Sequence, residues 1–456
     1  MMNRLYRTVF NRSLGVWQTA SELVKCRGTG GNGTTIHRVV ASGVLLGGLV
    51  MVVSQVQAQS VIDGGTTVTV TVDYPSPWNA GNSLIIGQTG TGTLIIENGG
   101  QVSNTNSTIG STATGNGTVT VDGVGSTWTN SEMLIVGQSG TGTLNITEGG
   151  AVMTGADSGG GTNIGAGGTV TVNGSGSSLT YGYGGLQVNG DLSVTDGGQV
   201  TSPNNRGGAS INSGATLTVD GTNSKLTSGN MSVNAGGMMS ITNGGNVVNS
   251  GASGDAINGT VSVDGAGSTW TNNGNFFMGN AAGANPRIVI TNGGVANLLA
   301  GGQMTANNGS SSALITVDGT GSQLNTGGTF SMQGINSTDP AAIRVTNGGA
   351  LKSAAIQIGR SAGDIAEVTI DDSTSTWTTT GGTSIGLQGT GTAKLTNGAV
   401  MTSGGSITVG AQKGSTGTFD ISGGSRVNAV NASGALQGLT VGGAALVRSI
   451  SMQTAV

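Results

Sequence analysis

The chain has 456 residues, of which 89 are glycine, 8% are charged and 3% aromatic, with a formal charge of −4. Its only cysteine, Cys26, and only histidine, His37, precede residue 59, so the remainder can form no disulfide, no thiolate or Ser-His-Asp nucleophile and no Cys/His zinc site. Six of the 16 basic residues (Arg4, Arg7, Arg12, Lys25, Arg27, Arg38) and one of the 20 acidic residues (Glu22) also lie there, which leaves an acidic body without a basic stripe and argues against nucleic acid as a partner.

A charged start leads into an apolar run, VVASGVLLGGLVMVV, from Val39 to Val53, followed by SQVQA ending at Ala58. The small residues Val56 and Ala58 fit a signal-peptidase site, with Gln59 as the first mature residue. As a membrane anchor the run is too short, because 15 residues at ~1.5 Å each do not span a ~30 Å hydrocarbon core. The expected organisation is therefore a leader over 1–58 with its hydrophobic core at 39–53, repeats over 59–441, and an atypical segment over 442–456.

Beyond the leader the chain repeats itself. GQTGTGTLIIENGGQV (Gly87 to Val102) returns as GQSGTGTLNITEGGAV (Gly137 to Val152), with 11 of 16 positions identical, and looser copies close on Gly-Gly or Gly-Ala pairs starting at Gly99, Gly149, Gly197, Gly244, Gly293, Gly348 and Gly398. A period near 50 residues marks a solenoid rather than a row of globular domains. Glycine richness alone would suggest disorder, but disordered tracts have no reason to keep Val, Ile and Leu at regular spacing.

One unit, from Gly117 to Gly165, reads as six short strands. Val119 and Val121 alternate with threonines; Gly125 to Thr129 and Met133 to Val136, with Ile135, supply two more strands; Leu144 with Ile146, Val152 and Ile164 mark the rest. Two three-stranded rungs of roughly 25 residues follow, bounded by turn residues. Stacked rungs pair each strand in parallel with its copy, and crossover preference makes the coil right-handed. The predicted fold is all-β, a right-handed parallel β-helix of about 50-residue two-rung repeats, with roughly 16 rungs. The Asp-Gly and Asn-Gly pairs at Asp122, Asn173, Asp220, Asp264 and Asp318 also fit a chain of antiparallel hairpins. Their recurrence in register favours solenoid corners.

Trp128, Trp270 and Trp377 occupy equivalent points that hold Leu179, Leu226 and Leu324 in other copies. That exchange suggests inward packing, the alternative being a sugar-binding platform. Candidate core residues are thus Val119, Val121, Trp128, Ile135, Leu144, Ile146, Trp270 and Trp377. Asp371 with Asp372, and Asp191 with Asp196, are the carboxylate pairs that a polysaccharide-cleaving β-helix would need at roughly 5–10 Å. Extended backbone would send Asp371 and Asp372 to opposite sides, and turn aspartates have a structural reason to exist. No EF-hand loop, calcium nonapeptide or phosphate-binding GxxxxGK[ST] occurs, so no metal, cofactor or catalytic residue is assigned.

Met2 to Glu22 (MNRLYRTVFNRSLGVWQTASE) resembles the extended signal peptide region of proteins exported by type V secretion, in Asn3-Arg4, Tyr6-Arg7, Asn11, Gly15, Trp17 and Ser21-Glu22; the extended region runs over 2–25. The phrases GTVTVDGxGSxW and LxVGxxGxGxLxIxxGG look like the short repeat of autotransporter passenger domains, over about residues 66 to 430. The resemblance implies Sec-dependent export, a β-helix displayed on the cell surface or outer membrane or secreted, and adhesion to host or bacterial surface ligands or self-association. The family's C-terminal translocator barrel has no counterpart here. The expectation is truncation, with a frameshift near Gly442, or a separate translocator. A truncated chain would stay periplasmic or be a non-functional fragment, and a polysaccharide-active enzyme is the alternative function.

Overall fold

The computed structural model describes residues 6–11, 16–21 and 60–448, apart from 74–75, 156–158, 252–253, 307–311, 335–339, 432 and 443–445. The apolar run 39–53 and the expected cleavage point at Ala58 and Gln59 lie outside these residues. Two units are distinguished, 1–55 and 56–456. In the first, Tyr6–Asn11 pairs antiparallel with Val16–Ser21.

The second unit is a parallel β-helix. Each rung contributes three short strands, such as Asn116–Asp122, Thr127–Asn130 and Leu134–Val136, followed one rung later by Thr141–Thr147, Ala151–Thr154 and Thr162–Ile164. The first strands of successive rungs form one sheet of 16. Every named strand pairing in this unit is parallel, and Val119 lies opposite Leu144 and Leu94. The hairpin alternative is therefore not the one adopted. Alternation explains the geometry: in GTVTVD the valines turn inward and the threonines outward, and stacking puts each inward residue on its copy.

The core is a continuous column of Val, Ile, Leu and Met. Val119, Val121, Trp128, Leu144, Ile146, Trp270 and Trp377 are all fully buried. Ile135 is a correction. Leu134 and Val136 take the two inward positions of their three-residue strand, so Ile135 faces outward and is half-exposed, level with Thr108 and Asn163.

Two sets of corner contacts explain why the sequence repeats every two rungs when the fold repeats every one. Asp122, Asp220, Asp264, Asp318 and Asp371 end the first strand of alternate rungs, and each Oδ1 accepts the threonine hydroxyl of the following rung (Thr147, Thr242, Thr291, Thr346, Thr396) at 2.5–2.6 Å. From Asp220 onward the next asparagine, held at positive φ, also donates its Nδ2. From the other side, a serine one rung further on accepts the amide of the first glycine of every Gly-Gly or Gly-Ala pair: Gly99 donates to Ser126, Gly149 to Ser177, and so on to Gly398 and Ser425. The Asp-Gly rung and the Thr-Asn-Gly-Gly rung are thus complementary halves of one clamp. Gly149 sits at φ +91, and a β-carbon on Gly150 would overlap the Val121 carbonyl.

Candidate functional surface

The carboxylates that could have formed a hydrolytic pair are taken up by this scaffold. Asp371 receives Thr396 Oγ1 and Asn397 Nδ2. Asp372 occupies a left-handed corner position at φ 81 and accepts the hydroxyls and amides of Thr374 and Ser375. Burial alone would raise its carboxyl, but those donors outweigh it and hold the group below the ordinary carboxylate range. Asp191 and Asp196 bracket a strand, and five extended steps place their backbones ~16 Å apart, too far for a glycosidase pair. Asp63 is likewise a corner residue: burial would raise it, but donors from Thr89 and Gly90 bring it down. Among the described residues there is no group of three or more His, Cys, Asp or Glu suited to a metal ion.

The indole platform considered from the sequence is overturned by burial, since Trp128, Trp270 and Trp377 have no exposed surface. Trp128 and Trp270 donate their indole N–H to an internal polar column that sequence reading missed. The last residue of many second strands, among them Asn104, Asn130, Thr154, Tyr181, Ser228, Asn249 and Asn272, is buried at one corner. The only sequence signal for it was an Asn, Thr or Ser two residues after Trp or its replacement.

Two buried groups stand apart. Asp255 is 1% exposed in a column that holds Met231 and Phe276 on either side; its Oδ1 accepts the Met231 amide at 2.7 Å and its Oδ2 has no partner. Burial pushes this carboxyl up to about 7, and the single amide bond only partly opposes that. Asp364, also fully buried, is raised by burial against contacts from Ser361 and Arg360.

Outward, the rod presents three long faces. The first-strand face stacks Thr67, Thr93, Thr118, Thr143 and Thr169 in one column. The second-strand face is mainly Thr, Gln, Asn and Ser, with Lys225, Lys352 and Arg426 as its cations. The third-strand face, running through Thr108, Ile135, Asn163, Gln187, Ser210 and Ser232 to Phe277 and Gln303, carries no outward charge among the described residues. Acidic residues concentrate at the corner between first and second strands, and between residues 59 and 205 the sequence has no Lys or Arg. Two shallow depressions interrupt these faces, one of about 380 Å³ beside Gln199 and Lys225 and one of about 180 Å³ beside Phe277 and Gln303.

Residues 2–51 match the family model described as the extended signal peptide of the type V secretion system. Among solved structures, the chain is similar to the crystal structure of the TibC-catalysed hyper-glycosylated TibA fragment 55–350, at 19% identity and a TM-score of 0.34, over 83% of this chain and 97% of that one. No curated protein sequence matches the chain.

Proposed function

We propose that this chain, which joins an extended signal peptide of type V secretion to a parallel β-helix, is an autotransporter-type passenger that acts without catalysis as an adhesive rod at the cell surface or after release. The family match of the leader supports export through the Sec machinery, and the small residues Val56 and Ala58 favour cleavage after Ala58. The observation that carries adhesion is the repetition of hydroxyl and amide side chains along three faces of the scaffold, with the corner aspartates engaged by threonine and asparagine of the next rung. Individually such contacts are weak. Presented at one rung spacing over many rungs, they add through multivalency. The partner is a host or bacterial surface, or a second copy of the chain.

The test is to export the chain from a non-adherent bacterium and count cell–cell and cell–host attachment. Attachment should rise over the empty strain and fall in graded steps as whole two-rung units are deleted. Attachment equal to the empty strain with the rod exposed would refute the reading. Release of reducing ends from a polysaccharide, lost in Asp371→Asn or Asp372→Asn, would favour the enzyme instead.

A further inference from the structure

We infer that the hollow beside Phe277 is a subsite for one residue of a neutral glycan, an inference that rests on the adhesive reading and gives it a specific anchor. Of the described aromatic side chains, Trp128, Trp270, Trp377, Tyr181, Phe276, Phe330 and Phe419 are buried in the core. Tyr183 is exposed but engaged by Arg206, whose guanidinium lies 5.3 Å over the ring and donates to the phenol oxygen. Trp78 is half-buried but packs against the core, whereas Phe277 borders an outer hollow. It stands half-buried on an outer face, at the edge of the 180 Å³ hollow.

Small residues and a corner shift border that hollow. Gly302 falls between Phe276 and Phe330 in the stack, and those two rings approach to 6.2 Å with planes inclined by 28°. Gly302 stands in the inward register, where a β-carbon would collide with Phe276, so this position adds no side chain to the outer face. Ala300 adds only a methyl, and the next rung runs straight through its corner as Gln323–Gly334, with a register shift between Thr326 and Thr329. The concavity thus lies where small residues, Ala300 and Gly302, meet a corner that changes course in the next rung.

The lining chemistry selects a sugar. The Phe277 ring offers a flat apolar surface of the kind that covers the C–H face of a pyranose. Asn275 and Gln303, also in the lining, each offer an amide oxygen and an amide N–H₂, which suits neighbouring hydroxyls that both donate and accept. No charged side chain lines the hollow, so nothing there rewards a uronate or sialate carboxylate. A volume of 180 Å³ corresponds to about six waters of liquid, enough for one ring and not a chain.

The test is saturation-transfer NMR on the full chain with methyl α-mannoside, methyl β-galactoside and methyl N-acetyl-β-glucosaminide, with galacturonate as the charged comparison. At least one neutral glycoside should receive saturation through its ring protons. The signal should fall at least tenfold in Phe277→Leu, which keeps an apolar cover over Gly254, and several-fold in Gln303→Ala, and it should be unchanged in Tyr183→Leu. Transfer to none of the neutral sugars, equal transfer in Phe277→Leu, or transfer to galacturonate at least as strong would each overturn the subsite. The attachment count separates the two readings: attachment without sugar binding removes the subsite and leaves the rod, whereas Phe277-dependent sugar binding without attachment supports the subsite and removes the rod.

Discussion

The indole Nε1 of Trp128 donates to Asn104 Oδ1 of the preceding rung at 2.8 Å, and Trp270 makes the same bond to Asn249 at 3.1 Å. At the third tryptophan the acceptor is missing. Ser353 takes the place of the asparagine, its side chain is too short, and both Trp377 Nε1 and Ser353 Oγ are buried without a partner. A buried unpaired donor is costlier than the net gain from a made bond. Ser353→Asn should therefore raise the stability of the rod by about 1 kcal/mol, and Asn104→Ala, which strands Trp128 and removes the bond to Asn130, should lower it by about 2 kcal/mol. Urea unfolding of both variants checks the pair; a Ser353→Asn chain less stable than the parent would show that the corner cannot admit the larger side chain.

Asp255 gives the rod a pH dependence of defined sign. Its folded-state pKa is raised to about 7 from 3.8, so across that interval the folded chain holds a proton that the unfolded chain has released. Stability is then greatest at or below the unfolded value, falls as pH rises between the two, and levels off above the folded value. The span corresponds to about 4 kcal/mol at most. Asp255→Asn should abolish this decline and be the more stable protein at pH 8. Denaturation midpoints of the two chains between pH 4 and 8 make the comparison, and parallel curves would assign the dependence to other groups.

The corner aspartates are structural. Removing the carboxylate in Asp264→Ala frees Thr291 and Asn292 and should cost about 1–2 kcal/mol. Because a solenoid couples mainly to nearest neighbours, the loss should appear as faster amide exchange in the adjoining rungs and leave distant rungs unchanged. Uniform acceleration along the whole rod would contradict that locality.

Export processing is expected at a single bond. N-terminal sequencing of the exported chain should begin at Gln59, and Ala58→Leu should retain the leader. A mature terminus elsewhere would move the boundary between leader and repeat.

The architecture was readable because alternation and period are properties of the chain itself. Val119 and Val121 between threonines define a strand and its inner face, and the spacing of Gly99, Gly149 and their successors sets the coil. Ile135 was misassigned because a three-residue strand gives too short a pattern to fix its phase, and Leu134, Ile135 and Val136 are equally apolar. The clamp between Asp264, Thr291 and Asn292 joins residues 27–28 positions apart, so the Asp-Gly and Thr-Asn-Gly-Gly phrases looked like independent turns until register set them side by side. Phe277 was invisible for a related reason. In the pair Phe276-Phe277 only the fold tells which ring is inside, and the hollow is lined by Gln303 and Ser331 from later rungs.

The exported rod is expected to attach and not to cleave, and purified chain on latex beads measures both. Coated beads incubated with bacterial and host cells should attach well above bare beads, progressively less as two-rung units are removed, with no new reducing ends in the polysaccharides supplied. Attachment no greater than that of bare beads, or reducing ends released in proportion to the chain added, would contradict it.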